Sequence, residues 1–455
     1  MRFTRTRRQA AVVAGGLGVL LALTACGGDG GDKNEAQGKN GDRDCSAYDQ
    51  YGDLKGKTVS VYTSIVTPED KPHIDSYKPF EECTGAKVNY EGSKEFEAQL
   101  VVRVKSGNAP DIAYIPQPGL LQTLVKDTKA VKPAPDAVAK NVDQYFGEDW
   151  KSYGTVDGTL YAAPLGANVK SFVWYSPKMF SDAGYEVPKS WDELIALSDK
   201  IAQGGSKPWC AGIGSGDATG WPATDWLEDL MLRTAGPETY DKWVNHEIPF
   251  NDPAVAEALG KVGDILRNPD YVNGGLGDVK SIASTEFQEG GLPILDGTCW
   301  LHRQASFYQA NWPEGTKVAE DGDVFAFYFP AMKADEHPLL GGGEFVAAFD
   351  DRPEVQAFQA FLSSPEWANE KAKVTEFGWV SANTGLDPKN LKSPIDQLSA
   401  ELLQDKSAVF RFDGSDLMPG EVGAGSFWKE MTNWIANNKD DKAVLDGIEK
   451  SWPSS

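Results

Sequence analysis

Histidine is scarce in this 455-residue chain: the four present, His73, His246, His302 and His337, are scattered, and neither HExxH nor CxxC spacing occurs. Such spacings are how one element presents zinc or redox ligands together, so no metal or cofactor is expected. Basic residues are few as well, 44 Lys plus Arg against 67 Asp plus Glu, for a formal charge of −23. A chain of that sign repels a phosphate backbone, which excludes a general nucleic-acid binder. Hydrolase and nucleotide motifs also fail on inspection. Around Ser215 a nucleophile elbow would need Gly where Ile213 stands. Gly56-Lys57-Thr58 echoes a phosphate loop, but Tyr51 occupies the position of its first glycine and the tripeptide precedes a strand. Two suitably spaced carboxylates among so many acids would still make a glycosidase, and that alternative stays open.

The chain begins with a leader. Arg2, Arg5, Arg7 and Arg8 precede an apolar stretch from Ala10 to Ala25 that is too short to span a bilayer of about 30 Å comfortably. Residues 1–25 read as a signal peptide, with Thr6-Arg7-Arg8 as a weak twin-arginine cue. Leu23-Thr24-Ala25-Cys26 resembles the lipobox of bacterial lipoproteins, which implies cleavage before Cys26 and a diacylglycerol anchor on the outer face of the cell membrane. From Gly27 to Asp44 the only aliphatic side chain is Ala36. Such a segment buries too little to order itself, so residues 26–45 are expected to be a flexible tether with a reach of about 23 Å.

Apart from Cys26, four cysteines remain: Cys45, Cys83, Cys210 and Cys299. In an exported chain an even count suggests two disulfides, with three connectivities available. The pairing Cys45–Cys83 with Cys210–Cys299 keeps each bridge within one half of the chain and is the one expected.

The body alternates short apolar runs with longer periodic ones, an α/β pattern. Strands are expected at 58–65, 86–90, 111–115, 169–175, 292–295 and 345–349. Thr67-Pro68 opens a helix to residue 82, closed by Gly85, and another helix follows over 96–106. Ser176-Pro177, Ser190-Trp-Asp-Glu193, Asn251-Asp252-Pro253 and Ser364-Pro365 each mark a helix start, and Pro353–Leu362 is a further helix.

The aromatic residues carry the functional signal. Of 14 Trp, several stand beside polar residues rather than inside apolar runs: Trp221 near Asp217 and Asp225, Trp300 near Arg303, and Trp428 in Ser426-Phe-Trp-Lys429. A sugar offers an apolar C–H face and a rim of hydroxyls, so its receptor needs flat rings beside forked donors and acceptors. If Trp300 is such a platform, Trp300→Ala should abolish ligand-induced stabilisation and leave the unliganded melting temperature nearly unchanged.

Taken in order, further strings resemble a known family. They are Phe80-Glu-Glu-Cys-Thr-Gly-Ala-Lys-Val88, Val104-Lys-Ser-Gly-Asn-Ala-Pro-Asp-Ile112, Tyr161-Ala-Ala-Pro164 with Val173-Trp-Tyr-Ser-Pro-Lys-Met-Phe180, Pro188-Lys-Ser-Trp-Asp-Glu-Leu194, and Gly341-Gly-Gly-Glu-Phe-Val346. With the lipobox and Ser426-Phe-Trp428 they resemble the carbohydrate-binding lipoproteins of ABC importers, similar to maltose-binding protein and nearest in pattern to alpha-glucoside-binding members. The resemblance implies a two-lobed α/β fold of the type II periplasmic-binding kind, its discontinuous lobes joined by a hinge. Mapped here, the first lobe covers 46–168 and 346–395, the second 169–345 and 396–455. It further implies ligand-binding roles for Trp221, Trp300 and Trp428, with Asp217, Asp225 and Arg303 as hydroxyl partners. Asn168, Lys170 and Glu344 would lie at the cleft floor, and Thr63, Ser64 and Gln117 follow first-lobe strands. After Pro110-Asp-Ile112 the chain has Tyr114-Ile-Pro-Gln117 and no Trp, a departure from the maltose-binding pattern. The implied protein is a monomeric receptor, not an enzyme, that closes on an oligosaccharide and passes it to permease subunits. The rival expectations are an exported glycoside hydrolase and an adhesive cell-wall module.

Overall fold

A computed structural model describes residues 43–453 apart from 334 and 406. The leader, Cys26 and nearly all of the tether lie outside the described residues. Among the described residues, no helix is long and apolar enough to cross a membrane.

Two sheets organise the body. The first has the strand order Lys87–Gly92, Thr58–Thr63, Ile112–Ile115, Phe345–Ala348, Ala162–Pro164. Its first three strands are parallel, and Phe345–Ala348 runs antiparallel to both neighbours. Alternation divides the side chains of Ile112–Ile115: Ile112 and Tyr114 join one apolar cluster, Ala113 and Ile115 the other. A sheet covered on both faces needs apolar residues at every position, which is why these strands read as unbroken runs. The second sheet has the order Phe325–Tyr328, Phe172–Tyr175, Cys299–Arg303, Lys207–Trp209 and lies in a larger cluster with Trp174, Trp209 and Leu301.

A third sheet joins them, built from Asn168–Val169, Pro338–Gly342 and Val409–Phe412. These are the segments in which the chain passes between the other two sheets. The passage is tight. A Cβ on Gly343 would stand 2.2 Å from the Gly166 carbonyl oxygen, so glycine is required where the two segments cross.

Helix starts follow the sequence closely. Ser176, Ser190, Asp252 and Ser364 each accept a backbone N–H of the first turn. Glu193 reaches back, though to the Lys189 N–H rather than to that of Ser190. Three expectations need correction. The strand expected over 169–175 is two, Asn168–Val169 in the third sheet and Phe172–Tyr175 in the second, because the chain changes sheets at Lys170-Ser171. The helix expected over 68–82 is two, Asp70–Ser76 and Lys78–Thr84, because Pro79 lacks the N–H and the room that a continuous helix requires. Leu292–Ile294 is a 3₁₀ turn and not a strand, since Pro293 cannot donate to a ladder; the strand of this region is Cys299–Arg303. Both disulfides pair as expected, Cys45–Cys83 with Cα atoms 5.4 Å apart and Cys210–Cys299 at 5.8 Å.

Candidate functional site

The strands Thr58–Thr63 and Ile112–Ile115 end in Ser64 and in Pro116-Gln117, and both endings open onto a cavity of about 510 Å³. Ligands of α/β sheets bind at such carboxyl ends. The opposite wall carries Trp221, which opens helix Trp221–Ala235, and Trp428, which opens helix Trp428–Ala436. Gly220 holds these two starts together. At φ 116° it takes a conformation open to glycine, and a Cβ there would stand 2.2 Å from the Trp428 carbonyl oxygen. Trp221 is backed by Phe287 and Phe307, with ring centroids 5.0 and 6.0 Å away. The crossing segments supply Asn168, Lys170 and Glu344, and the remaining side carries Glu69, His73, Lys371 and Trp379.

Polar atoms without partners converge here. Gln117 Oε1, Asn168 Oδ1, Gln288 Oε1, His73 Nδ1 and the indole N–H groups of Trp379 and Trp428 are all buried and unbonded, and every one belongs to a residue lining the cavity. Each such group costs about 1–3 kcal/mol until it is paired. Both donors and acceptors are among them, and a hydroxyl serves either. The cavity therefore suits a ligand rich in hydroxyl groups, with indole rings to cover its apolar face.

Beneath the floor lies a buried ion cluster. Lys170 Nζ bonds Asp225 at 3.0 Å and also Asp413, with Asp416 at 4.0 Å, and it stands 5.4 Å from the Trp221 ring centre. Asp229 takes Arg303 at 2.7 Å, Arg233, and the Ser171 hydroxyl at 3.0 Å. Glu228 accepts the N–H groups of Gly414 and Ser415. Asp225, Glu228 and Asp413 bring oxygens within 4.8 Å of one another, as a metal site would. Lys170 and the N–H groups of Gly414 and Ser415 already bond these oxygens, so the donor set is an internal polar cluster. Burial raises the Asp225 carboxyl to about 8 and pushes Glu228 and Asp416 up as well. On the first-sheet side Glu97 accepts from Gln117 Nε2 at 3.1 Å, and burial raises its carboxyl too.

Of the residues named from sequence, Ser64, Gln117, Asn168, Lys170, Trp221, Glu344 and Trp428 line the cavity. The others do not. Thr63 is fully buried and accepts the Ile65 N–H, as a strand-end hydroxyl with no solvent contact must. Asp217 is exposed beside the lining residues Ser215 and Ala218. Asp225 and Arg303 belong to the buried cluster, Asp225 bonded to Lys170 and Arg303 to Asp229. Trp300 is not among the lining residues and packs against Tyr185 and Phe180, 5.1 and 6.3 Å between centroids. The expected behaviour of Trp300→Ala is therefore reversed: ligand binding stays as in wild type and urea unfolding shows a loss of about 1–2 kcal/mol, less than for a fully buried Trp. Sequence reasoning missed Glu69, His73, Glu97, Lys371, Trp379 and Asp416. Only Asp416 had a visible signal, the polar run Asp413-Gly-Ser-Asp416 directly after a strand.

Comparison with known proteins gives a consistent result. Residues 59–369 match the model of the family described as bacterial extracellular solute-binding protein. The chain is 41% identical over 417 residues to the "Alpha-glucosides-binding periplasmic protein AglE" of Rhizobium meliloti, covering 88% of each chain. It is 37% identical over 437 residues to the "Osmoprotective compounds-binding protein GgtB" of Synechocystis, covering 95% of this chain and 97% of the relative. Among solved structures, the bacterial solute receptor AcbH superposes with a TM-score of 0.73 at 20% identity, over 87% of this chain and 98% of its own. A chitin oligosaccharide binding protein follows at 0.72 and 19%, over 86% and 97%. Both share the two-lobed fold.

Proposed function

Because the chain belongs to the bacterial extracellular solute-binding protein family and is a binding component of importers rather than an enzyme, we propose that its solute is an alpha-glucoside. The ligand would lie in the cavity between the two lobes, and the permease subunits of an ABC importer would receive it. One observation supports this above the rest: six unpartnered buried polar atoms surround a single cavity that also carries the rings of Trp221, Trp379 and Trp428. A hydroxylated ring satisfies those atoms, whereas an apolar solute leaves them bare. The name of the Rhizobium relative supports the narrower choice of an alpha-glucoside.

Seven of the cavity residues, Ser64, Gln117, Asn168, Lys170, Trp221, Glu344 and Trp428, are assigned to ligand binding. Their origins divide between lobes at 46–168 with 346–395 and 169–345 with 396–455. A ligand that touches both halves only when they meet favours the closed form by its differential affinity, so the mechanism is hinge closure about the third sheet. The body acts as a monomer, held to the membrane by a lipid on Cys26. Calorimetric titration of the purified protein with methyl α-glucoside, trehalose, sucrose and maltose tests the reading. Binding of at least one at a single site is expected; absence of heat with all of them contradicts it.

A further inference from the structure

Lys371 is the least expected group in the cavity. It stands on helix Pro365–Val374, where Glu370-Lys371-Ala-Lys373 reads as a solvated charged face. Instead its side chain is 2% exposed and lines the cavity. An ammonium carries three donors, and a buried one normally faces a carboxylate. Here Nζ donates to the Thr375 hydroxyl at 3.0 Å and lies 5.0 Å from the Trp379 ring centre, and among the described residues no carboxylate comes within ion-pair distance.

The groups around it form a polar set of their own. Glu69, just before helix Asp70–Ser76, and His73 within it act on Lys371, as do Glu344 from the crossing segment and Asp396 from helix Pro394–Gln404. The other set centres on Lys170, with Asp416 and Trp221 beside it and Glu97, bonded to Gln117, acting on Asp416; Glu344 interacts with both lysines. In the first set, His73 Nδ1 and the Trp379 indole N–H are unpartnered; in the second, Gln117 Oε1 is. The cavity thus carries two lysine-centred groups of polar residues, each with atoms that demand hydrogen-bonding partners.

Resting on the reading above, we propose that Lys371, backed by Trp379, is the specificity-determining residue that grips the second ring of the ligand, so that the site selects disaccharides over single-ring glycosides. The spare ammonium donors meet ring or hydroxyl oxygens of that second unit, and the Trp379 face covers its C–H surface. A ligand of one ring leaves the ammonium as it is and gains nothing from it.

Burial lowers the Lys371 amine to about 7 in the free protein. Contact with ligand oxygens favours the charged form and raises that value in the complex, so disaccharide affinity is greatest below about pH 7 and falls as pH rises toward about 8. Glu69 is raised to about 7 by its own burial and titrates in the same range, as does Asp396. Glu69→Gln and Asp396→Asn, which keep the shape without the charge, separate these contributions.

The test is calorimetric titration of the wild type and of Lys371→Met with methyl α-glucoside and with the tightest-binding of trehalose, sucrose and maltose, at about pH 6 and about pH 8. Lys371→Met is expected to weaken disaccharide binding about tenfold or more, to leave methyl α-glucoside within about twofold, and to abolish the fall with pH. Glu69→Gln and Asp396→Asn are expected to keep that fall. Equal losses for both sugars, or no loss for the disaccharide, overturn the proposal. The wild-type profile needs no variant: a disaccharide affinity that does not fall between the two pH values also overturns it. Wild-type protein that binds one sugar class without these differences leaves the alpha-glucoside reading standing, whereas failure to bind any sugar removes both.

Discussion

Asp229→Ala is expected to cost the folded protein about 3–5 kcal/mol, read as a lower urea midpoint, even though residue 229 does not line the cavity. Asp229 accepts from Arg303 at 2.7 Å, from Arg233 and from the Ser171 hydroxyl, and it is fully buried. Removing it leaves two buried guanidinium groups without the carboxylate they share. Asp225 offers little relief, since it stands 3.8 Å from Arg303 and is already bonded to Lys170. Asp229→Asn keeps the shape and part of the hydrogen bonding, so it should fall between wild type and Ala. A loss below about 1 kcal/mol would mean that the cluster is worth no more than a surface pair.

Trp221→Ala is expected to weaken sugar binding by about 30-fold or more, as removal of a central aromatic anchor does, with a smaller effect on the unliganded fold. The ring is half-buried, packs against Phe287 and Phe307 and lines the cavity with them. Truncation strips the platform while Gly220 still sets the helix start. Trp221→Phe should recover part of the affinity, because a smaller ring covers less of the sugar face. Calorimetry reads both variants directly. Affinity unchanged in Trp221→Ala would place the ligand elsewhere.

The parts of the fold legible in the sequence were those fixed by local chemistry. Ser190 and Glu193 announced a helix start because their side chains bond backbone N–H groups within the same turn. Strands such as Ile112–Ile115 announced themselves because both faces had to be apolar. What was illegible depended on distant partners. Asp225, Glu228 and Asp229 share one face of helix Trp221–Ala235, and a run of acids on a helix looks solvated. It is buried only because Lys170, Arg303 and the segment after Phe412 arrive from far along the chain. Lys371 was hidden for the same reason. Trp221 and Trp300 looked alike in sequence, each aromatic beside polar residues. Yet one opens a helix and lines the cavity, and the other stands in a strand and packs against Tyr185 and Phe180 instead. Neighbouring residue types carry no record of which side of a sheet faces the gap.

The central claim is that the two lobes hold one sugar between the indole rings and the unpartnered amide groups. A crystal structure of the protein grown with its tightest-binding disaccharide tests it most directly. The account predicts sugar rings against Trp221 and Trp428, with hydroxyls bonded to Gln117 and Asn168 from the other wall and the floor. Sugar seated outside this cavity, with Gln117, Asn168 and the two indoles untouched, would contradict it.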